Sequence, residues 1–425
     1  MRLTKSLIVK KTIYLDNAAS TPLDENVANE VIRAFKLYSN PSSYNDCGRE
    51  AREYTERARL KVARFLGAHS DEIIFTASGT EANNLAIQGI AKNLQPTTYN
   101  LQPKKRPHII TTRIEHPSVL KPIKRLEREG FDVTYLLVDK EGFVNLNELK
   151  SSLRSTTILV SVMYANNEIG TIEPITKVGK IISDFRDEHI DISKFRNIRY
   201  EKFPIFHSDA CQATEYLDMN VNHLGIDLLT FNGSKIYGPK GIGVLYVRKG
   251  TKISPVMLGG KQEHGLRPGT ENLPAIGGLA AALDQIEKNE SERLAELRDY
   301  FIKKVRILLP GAKINGPINT VDDRHSMSAT NRLPNNINIS IPDLTSEVLL
   351  LELDKYGIYA GSGSACTSHA VEPSHVLKAI GLDKKYLDGA LRFSMGRQTT
   401  KKDVDYVLKV LPKVVKDLKK RYRKI

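Results

Sequence analysis

Cysteine is scarce in this chain. Only Cys47, Cys211 and Cys366 occur among 425 residues. Three thiols cannot build a disulfide framework, and their separations match no metal-binding spacing, so no metal site and a reducing, cytoplasmic setting are expected. Long apolar runs are missing too. Nothing approaches the roughly twenty apolar residues of a membrane span, and the opening MRLTKSLIVKK has too short an apolar core for a signal peptide. No internal repeat and no nucleic-acid motif is found. Acidic residues are in deficit, 49 against 63 Lys and Arg, giving a net charge of +14. That excess is spread along the chain and does not form a nucleic-acid footprint. Its densest cluster, Lys413–Lys424, is read as a solvated helix face, with an acidic protein partner as second choice.

What is present is an alternation. Short β-branched runs at Glu72–Thr76, His108–Thr112, Val133–Val138, Thr157–Met163, Ile205–Ser208, Ile226–Phe231 and Gly243–Val247 are separated by helical stretches. Those stretches are Ala82–Asn93, Ser118–Glu129, Leu146–Leu153 and Ile175–His189. The pattern predicts an α/β fold, a mostly parallel seven-stranded sheet sandwiched by helices. Two helices, Glu25–Leu37 and Arg49–Phe65, precede it, the latter stopped by Gly67. A long helix, Pro274–Leu309, leads to a smaller α+β domain. That domain holds a strand at Asn336–Ile341, helices at Ser346–Lys355 and Ser374–Ile380, the run Ala390–Ser394 and an amphipathic C-terminal helix. The expected division is 24–288 for the large domain, with 1–23 and 289–425 forming the small one. Asn93–Pro107, Glu188–Lys202 and Asn319–Leu333 read as surface insertions.

Chemistry-bearing residues gather where strands end. Lys235 lies between two apolar runs among Gly233, Ser234, Gly238 and Gly241, placed to form an imine with an aldehyde. Its amine must be neutral to attack, and desolvation favours that form. Ser78-Gly79-Thr80 ends a strand and opens a helix, a seat for phosphate. His116 follows another strand and is placed to stack on an aromatic cofactor and shuttle protons. The amides of Asn166 and Asn167 can hydrogen-bond a carboxylate or ring oxygen, or merely make the turn. Asp209 can sit under a pyridine nitrogen, with Gln212 reaching a ring hydroxyl. The glycine-rich loop Gly259–Thr270 offers Arg267 and Thr270 as further phosphate donors. Cys366 stands in Gly361–Ser368, GSGSACTS, whose small residues suggest a mobile, exposed loop over 361–372. A buried, inert thiol is the reading that fits Cys47 and Cys211 better.

As a set, these segments closely resemble the cysteine desulfurases, fold-type I enzymes dependent on pyridoxal 5′-phosphate. The matching stretches are YLDNAASTP, SGTEANNLAI, EHPSVL, ANNEIGT, DACQ, SKIYGPKGIG, RPGTEN, GSGSACTSHAVEPSHVL and LRFSMGR, spread over 14–397. The resemblance implies that Lys235 holds the cofactor covalently. It implies that Gly79, Thr80, Asn232, Ser234 and a partner subunit's Thr270 surround its phosphate, and that His116 stacks on the ring. Asp209 would pair with the pyridine nitrogen and Gln212 with the ring oxygen, while Asn167 and Arg392 hold the substrate carboxylate. Cys366 would take sulfur from L-cysteine as a persulfide, leaving L-alanine. A homodimer is implied, and a sulfur acceptor such as an iron–sulfur scaffold or a tRNA-thiolating enzyme, with Cys366 a transient cluster ligand at most. No direct nucleic-acid or membrane partner is expected. The family often has Ser-x-His-Lys where this chain has Asn232-Gly233-Ser234-Lys235, so Ser234 replaces a histidine expected to touch phosphate. A selenocysteine lyase or an aminotransferase of the same fold is the alternative.

Overall fold

The computed structural model describes residues 12–93, 106–188, 203–287, 289–318, 331–363 and 373–422. Nearly all of the three expected insertions, and Cys366 with its loop, lie outside them. The chain divides into two compact units: 20–167 with 171–288, and 1–19 with 168–170 and 289–425.

The larger unit is built on a seven-stranded sheet. Its strands are β1 (Ile73–Thr76), β2 (His108–Thr112), β3 (Asp132–Leu136), β4 (Thr157–Ser161), β5 (Ile205–Asp209), β6 (Leu228–Asn232) and β7 (Gly243–Val247). The order is β1-β7-β6-β5-β4-β2-β3. Strands β2 to β6 pair in parallel, whereas β7 runs antiparallel to β6 and β1 antiparallel to β7. Strands β1, β2 and β4 to β7 are buried along nearly their whole length, and β1, β4, β6 and β7 read as largely apolar runs. Ile74, Leu85, Ile109, Ile123, Leu159, Leu228 and Leu245 share one core. A buried imidazole ties three strands together. His207 on β5 meets Ser161 on β4 at 2.9 Å and Thr230 on β6 at 3.3 Å. Burial pushes its pKa down to about 4, so it stays neutral at physiological pH.

Helix ends follow local chemistry. Asp24 caps the helix Glu25–Ala34 by accepting from Asn26 N and Val27 N. The helix Asp46–Leu66 ends at Gly67, whose φ of 63° is the left-handed conformation that glycine takes without penalty. Cys47, in its first turn, is exposed, so the expectation of a buried thiol fails there. The periodicity of Asp46–Leu66 turns Ala51, Ala58 and Val62 inward and leaves Cys47 off that face. Cys211 is half-buried.

The expected long helix Pro274–Leu309 is in fact two helices, Leu273–Asp284 and Glu290–Leu308. No glycine or proline marks the break. The first helix is Gly- and Ala-rich and buries most of its residues in the larger unit. The second is amphipathic and belongs to the smaller unit, burying Leu294, Phe301, Ile302 and Val305. Each is fitted to its own core, and the chain leaves helical geometry between them.

The smaller unit has an antiparallel sheet of β8 (Lys313–Asn315), β9 (Asn336–Ser340) and β10 (Ala390–Ser394), with β9 central. A second, two-stranded sheet pairs Ile13–Tyr14 with Ile358–Tyr359 in parallel. Strand β8 and this pair are too short to show a period in the sequence. The C-terminal helix Lys401–Tyr422 buries Val404, Val407, Leu411, Val414 and Leu418. Its other face exposes Lys409, Lys413, Lys416, Lys420 and Arg421, a solvated basic surface. Among the described residues no helix is long and apolar enough to cross a membrane.

Candidate active site

Within the larger unit the candidate residues collect past the carboxyl ends of the strands, where open α/β sheets bind ligands. Asp209 is the last residue of β5 and Asn232 the last of β6. Lys235 closes the single 3-10 turn Gly233–Lys235 directly after β6. The turn is held from outside: Thr21 N donates to Ser234 O at 2.9 Å, and Gly238 N to Gly233 O at 2.9 Å.

A narrow cup forms at the start of the helix Gly79–Asn93. The first-turn N–H groups of a helix have no partner within it and carry its positive dipole end. Here those groups begin at Gly79 and Thr80. A Cβ on Gly79 would lie 2.7 Å from Cys211 Sγ and 2.9 Å from Asn232 Nδ2, so only glycine lets these three elements meet. Asn232 Nδ2 points at Cys211 Sγ, 3.4 Å away, and Ser234 Oγ donates to Asn232 Oδ1 at 3.2 Å. Burial pushes the Cys211 thiol well above its ordinary range, and nearby Asp209 pushes the same way while Lys235 opposes it. Cys211 is therefore an uncharged wall of the cup, with Lys235 and Asp209 within electrostatic reach.

Asp209 is 6 % exposed. Its Oδ1 accepts from Cys211 N at 3.0 Å and its Oδ2 from Asn83 Nδ2 at 2.7 Å. His116 does more than follow a strand: it is the N-cap of the helix Pro117–Arg128, its Nδ1 accepting from Ser118 N at 3.1 Å. The preceding Glu115 is fully buried, and its Oε1 accepts from Thr112 Oγ1 at 2.9 Å and Met163 N at 2.7 Å. Burial drives its pKa well up, and through these two bonds it braces the ends of β2 and β4. Asn166 Nδ2 donates to Ile114 O at 3.0 Å, joining the same two loops. Asn167, 8 % exposed, follows in that hairpin. The sequence reading gives no role to Asn83, Glu115 or Ser118, and offers Asn166 only as one of the two amides of its turn. Their only sequence signal is that each stands beside, or a few residues from, a residue already singled out.

Other expectations are redirected. Arg267 does not offer a free guanidinium, because its Nε donates to Glu81 Oε1 at 3.0 Å. Thr270 is exposed on its loop. Gln212 lies in the turn three residues after Asp209, half-buried. Arg392, in the smaller unit, is 1 % exposed and pairs with Asp16 at 2.8 Å. Its guanidinium is tethered to that carboxylate, which fixes its direction and neutralises part of its charge.

Glu173 supports the Asn167 hairpin from beneath. Its N donates to Tyr164 O at 2.9 Å and its Oε2 accepts from Val144 N at 3.0 Å. Burial raises its pKa from 4.5 to about 8. The folded state keeps this proton while the unfolded state releases it, so its contribution to stability falls as pH rises from 4.5 to about 8 and is level beyond. Glu173→Gln should therefore match the parent's melting temperature near pH 4.5 and exceed it increasingly up to pH 8, by several degrees. Equal melting temperatures across that range would show that Glu173 is ionised in the fold.

The chain matches the family model described as aminotransferase class-V over residues 13–407. It is 45 % identical over 417 residues to a cysteine desulfurase IscS of Dictyoglomus turgidum, covering 97 % of this chain and 96 % of that one. This chain belongs to the class-V aminotransferase family, as a cysteine desulfurase. A cysteine desulfurase of Nostoc sp. is 42 % identical over 96 % of this chain and 94 % of its own. Among solved structures, a NifS-like protein superposes with a TM-score of 0.81 at 34 % identity, over 96 % of this chain and 100 % of the other. The protein described as SspA in complex with cysteine gives 0.73 at 32 % identity, over 90 % and 99 %.

Cysteine desulfurases of this class depend on pyridoxal 5′-phosphate, and the residues present fit that group. The cup at Gly79 offers helix-end N–H donors to a phosphate, the buried Asp209 carboxylate suits a protonated ring nitrogen, and Lys235 supplies an amine. Among the described residues no cluster of His, Cys, Asp and Glu is arranged to hold a metal ion.

Proposed function

We propose that this desulfurase works through Lys235, Asp209, His116 and Cys366. The observation that carries the reading is the meeting of Lys235, Asp209 and Cys211 beside the Gly79 helix end in one cup. Gly79, Thr80, Asn232 and Ser234 would hold the cofactor's phosphate, with Thr270 of a second subunit completing the shell of a homodimer. Ser234 keeps a hydroxyl where the family often has histidine, and a hydroxyl also donates to phosphate. Gln212 would hold the ring oxygen.

When bound, pyridoxal 5′-phosphate supplies an electron-withdrawing ring that makes bonds near the substrate's α-carbon labile. Asp209 keeps a proton on the ring nitrogen. Lys235 anchors the aldehyde carbon and, once displaced, takes the proton from the substrate Cα. His116 gives and receives protons at the substrate's sulfur or Cβ. Asn167 and Arg392 hold the substrate carboxylate. The Cys366 thiolate attacks the substrate sulfur: an S–S bond forms, the Cβ–S bond breaks, and the electron pair stays with the three-carbon fragment. That fragment takes up protons and leaves as alanine, and Cys366 retains a persulfide. Cys366 then passes sulfur to an acceptor, an iron–sulfur scaffold or a tRNA-thiolating enzyme, in the cytoplasm.

The test is alanine formation from cysteine without any 2-oxo acid, followed by alkylation and mass analysis of the cysteine-containing peptides. One extra sulfur on the Cys366 peptide, matched to alanine in the first turnover, is the expected result. A requirement for 2-oxo acid with no sulfur on Cys366 would overturn the reading.

A further inference from the structure

Asn83 lies on the helix Gly79–Asn93, one turn beyond its phosphate-facing end, and is fully buried. One of its amide N–H groups goes to Asp209 Oδ2 at 2.7 Å and the other to Ser118 Oγ at 2.8 Å. Reversing the amide would set its oxygen against a carboxylate oxygen at that same short distance, so the orientation is fixed. An amide has two N–H bonds, and both are used. Among the described residues Asn83 Oδ1 has no hydrogen-bond partner. A buried polar group in that condition is costly, and the two donor bonds are what the cost sustains.

Ser118 carries the connection onward. Its Oγ lies 2.7 Å from His116 Nδ1, and its backbone N–H also donates to Nδ1 at 3.1 Å. A nitrogen that accepts from a backbone N–H carries no proton, so the hydroxyl must be the donor to it. Ser118 Oγ accepts from Asn83 with one of its two lone pairs, and its single O–H bond remains to donate to Nδ1. The neutral imidazole then bears its proton on Nε2.

We infer that Asn83, acting through Ser118, is a positioning residue for desulfuration: it joins Asp209 to His116, holding the carboxylate in place and the ring with its proton on Nε2. Four side chains from two helices and the end of β5 form one connected set of hydrogen bonds, with Asn83 donating both towards Asp209 and towards Ser118. A proton-handling ring gains from this in a specific way. Its tautomer and its orientation are set before substrate arrives, as outer-shell partners set those of other working histidines. The inference rests on the reading above of Asp209 and His116 as the residues that face the cofactor.

The test uses holoenzyme labelled with ¹⁵N in histidine, with Asn83→Leu as the main variant because it removes both donors and keeps the same branched shape. In the parent, His116 should show an unprotonated, hydrogen-bonded Nδ1 and a protonated Nε2. In Asn83→Leu the Nδ1 resonance should move by several parts per million, and kcat should fall on the order of tenfold to a hundredfold with little change in KM. Ser118→Ala should produce the same resonance shift, and Ser118→Thr, which keeps the hydroxyl, should restore the parent's spectrum and rate. A folded Asn83→Leu variant in which either the resonance or kcat is unchanged overturns the inference. If Asn83→Leu does not fold, Ser118→Ala decides by the same two readouts. Failure of the underlying reading looks different: His116→Ala and Asp209→Ala would then keep cofactor and rate.

Discussion

Replacing Lys235 with Ala should give a folded, colourless protein whose release of alanine from cysteine falls by at least about 10³-fold. In the proposed reading Lys235 does two things at one place: it anchors the cofactor and moves the Cα proton. Its backbone is fixed by the 3-10 turn Gly233–Lys235 and by Thr21 bonding to Ser234, so truncating the side chain leaves the turn intact. The fold should therefore survive, and far-ultraviolet dichroism together with melting temperature would check that. The visible absorption of the purified protein is the direct measure of the anchor. An unchanged spectrum would mean that another residue holds the cofactor.

Cys366→Ser should behave in the opposite way, keeping the yellow colour and losing sulfide release to background. A thiol is partly thiolate at neutral pH and attacks sulfur readily, whereas a serine hydroxyl is neither ionised nor drawn to sulfur. The pair of variants separates anchor from acceptor. Colour should vanish only in Lys235→Ala, and sulfur transfer should vanish in both. Normal sulfide release from Cys366→Ser would leave the cofactor chemistry standing and remove the persulfide from the mechanism.

Much of the fold was legible in the chain. The sequence runs lie within two residues of all seven strands of the large sheet, because β-branched and apolar residues concentrate where strands are buried. Gly67 announced the end of its helix because a left-handed residue there is almost always glycine. The break between Leu273–Asp284 and Glu290–Leu308 was not legible, since no helix breaker marks it and only the separate cores require it. Strands β8, Ile13–Tyr14 and Ile358–Tyr359 are two or three residues long, and their pairing partners, not their composition, make them strands.

The candidate site divides the same way. Lys235, Asp209, His116 and Gly79 each end or follow a strand, so their neighbourhood could be read locally. Nothing near Asn83 in sequence says that it reaches Asp209, 126 residues away, or Ser118, 35 residues away. Arg267 looked like a spare phosphate donor until Glu81, 186 residues before it, was found to hold it.

By itself, then, the order of residues determined the family and the cofactor and pointed to the groups proposed to act, because those depend on which side chains exist and on which strand end they stand. Only the tertiary structure decided how those groups are held: which side chains meet His116, which acids are buried, which arginine is already engaged. The physical reason is that buried polar atoms must find partners in space. The sheet supplies those partners from strands and helices far apart in the chain.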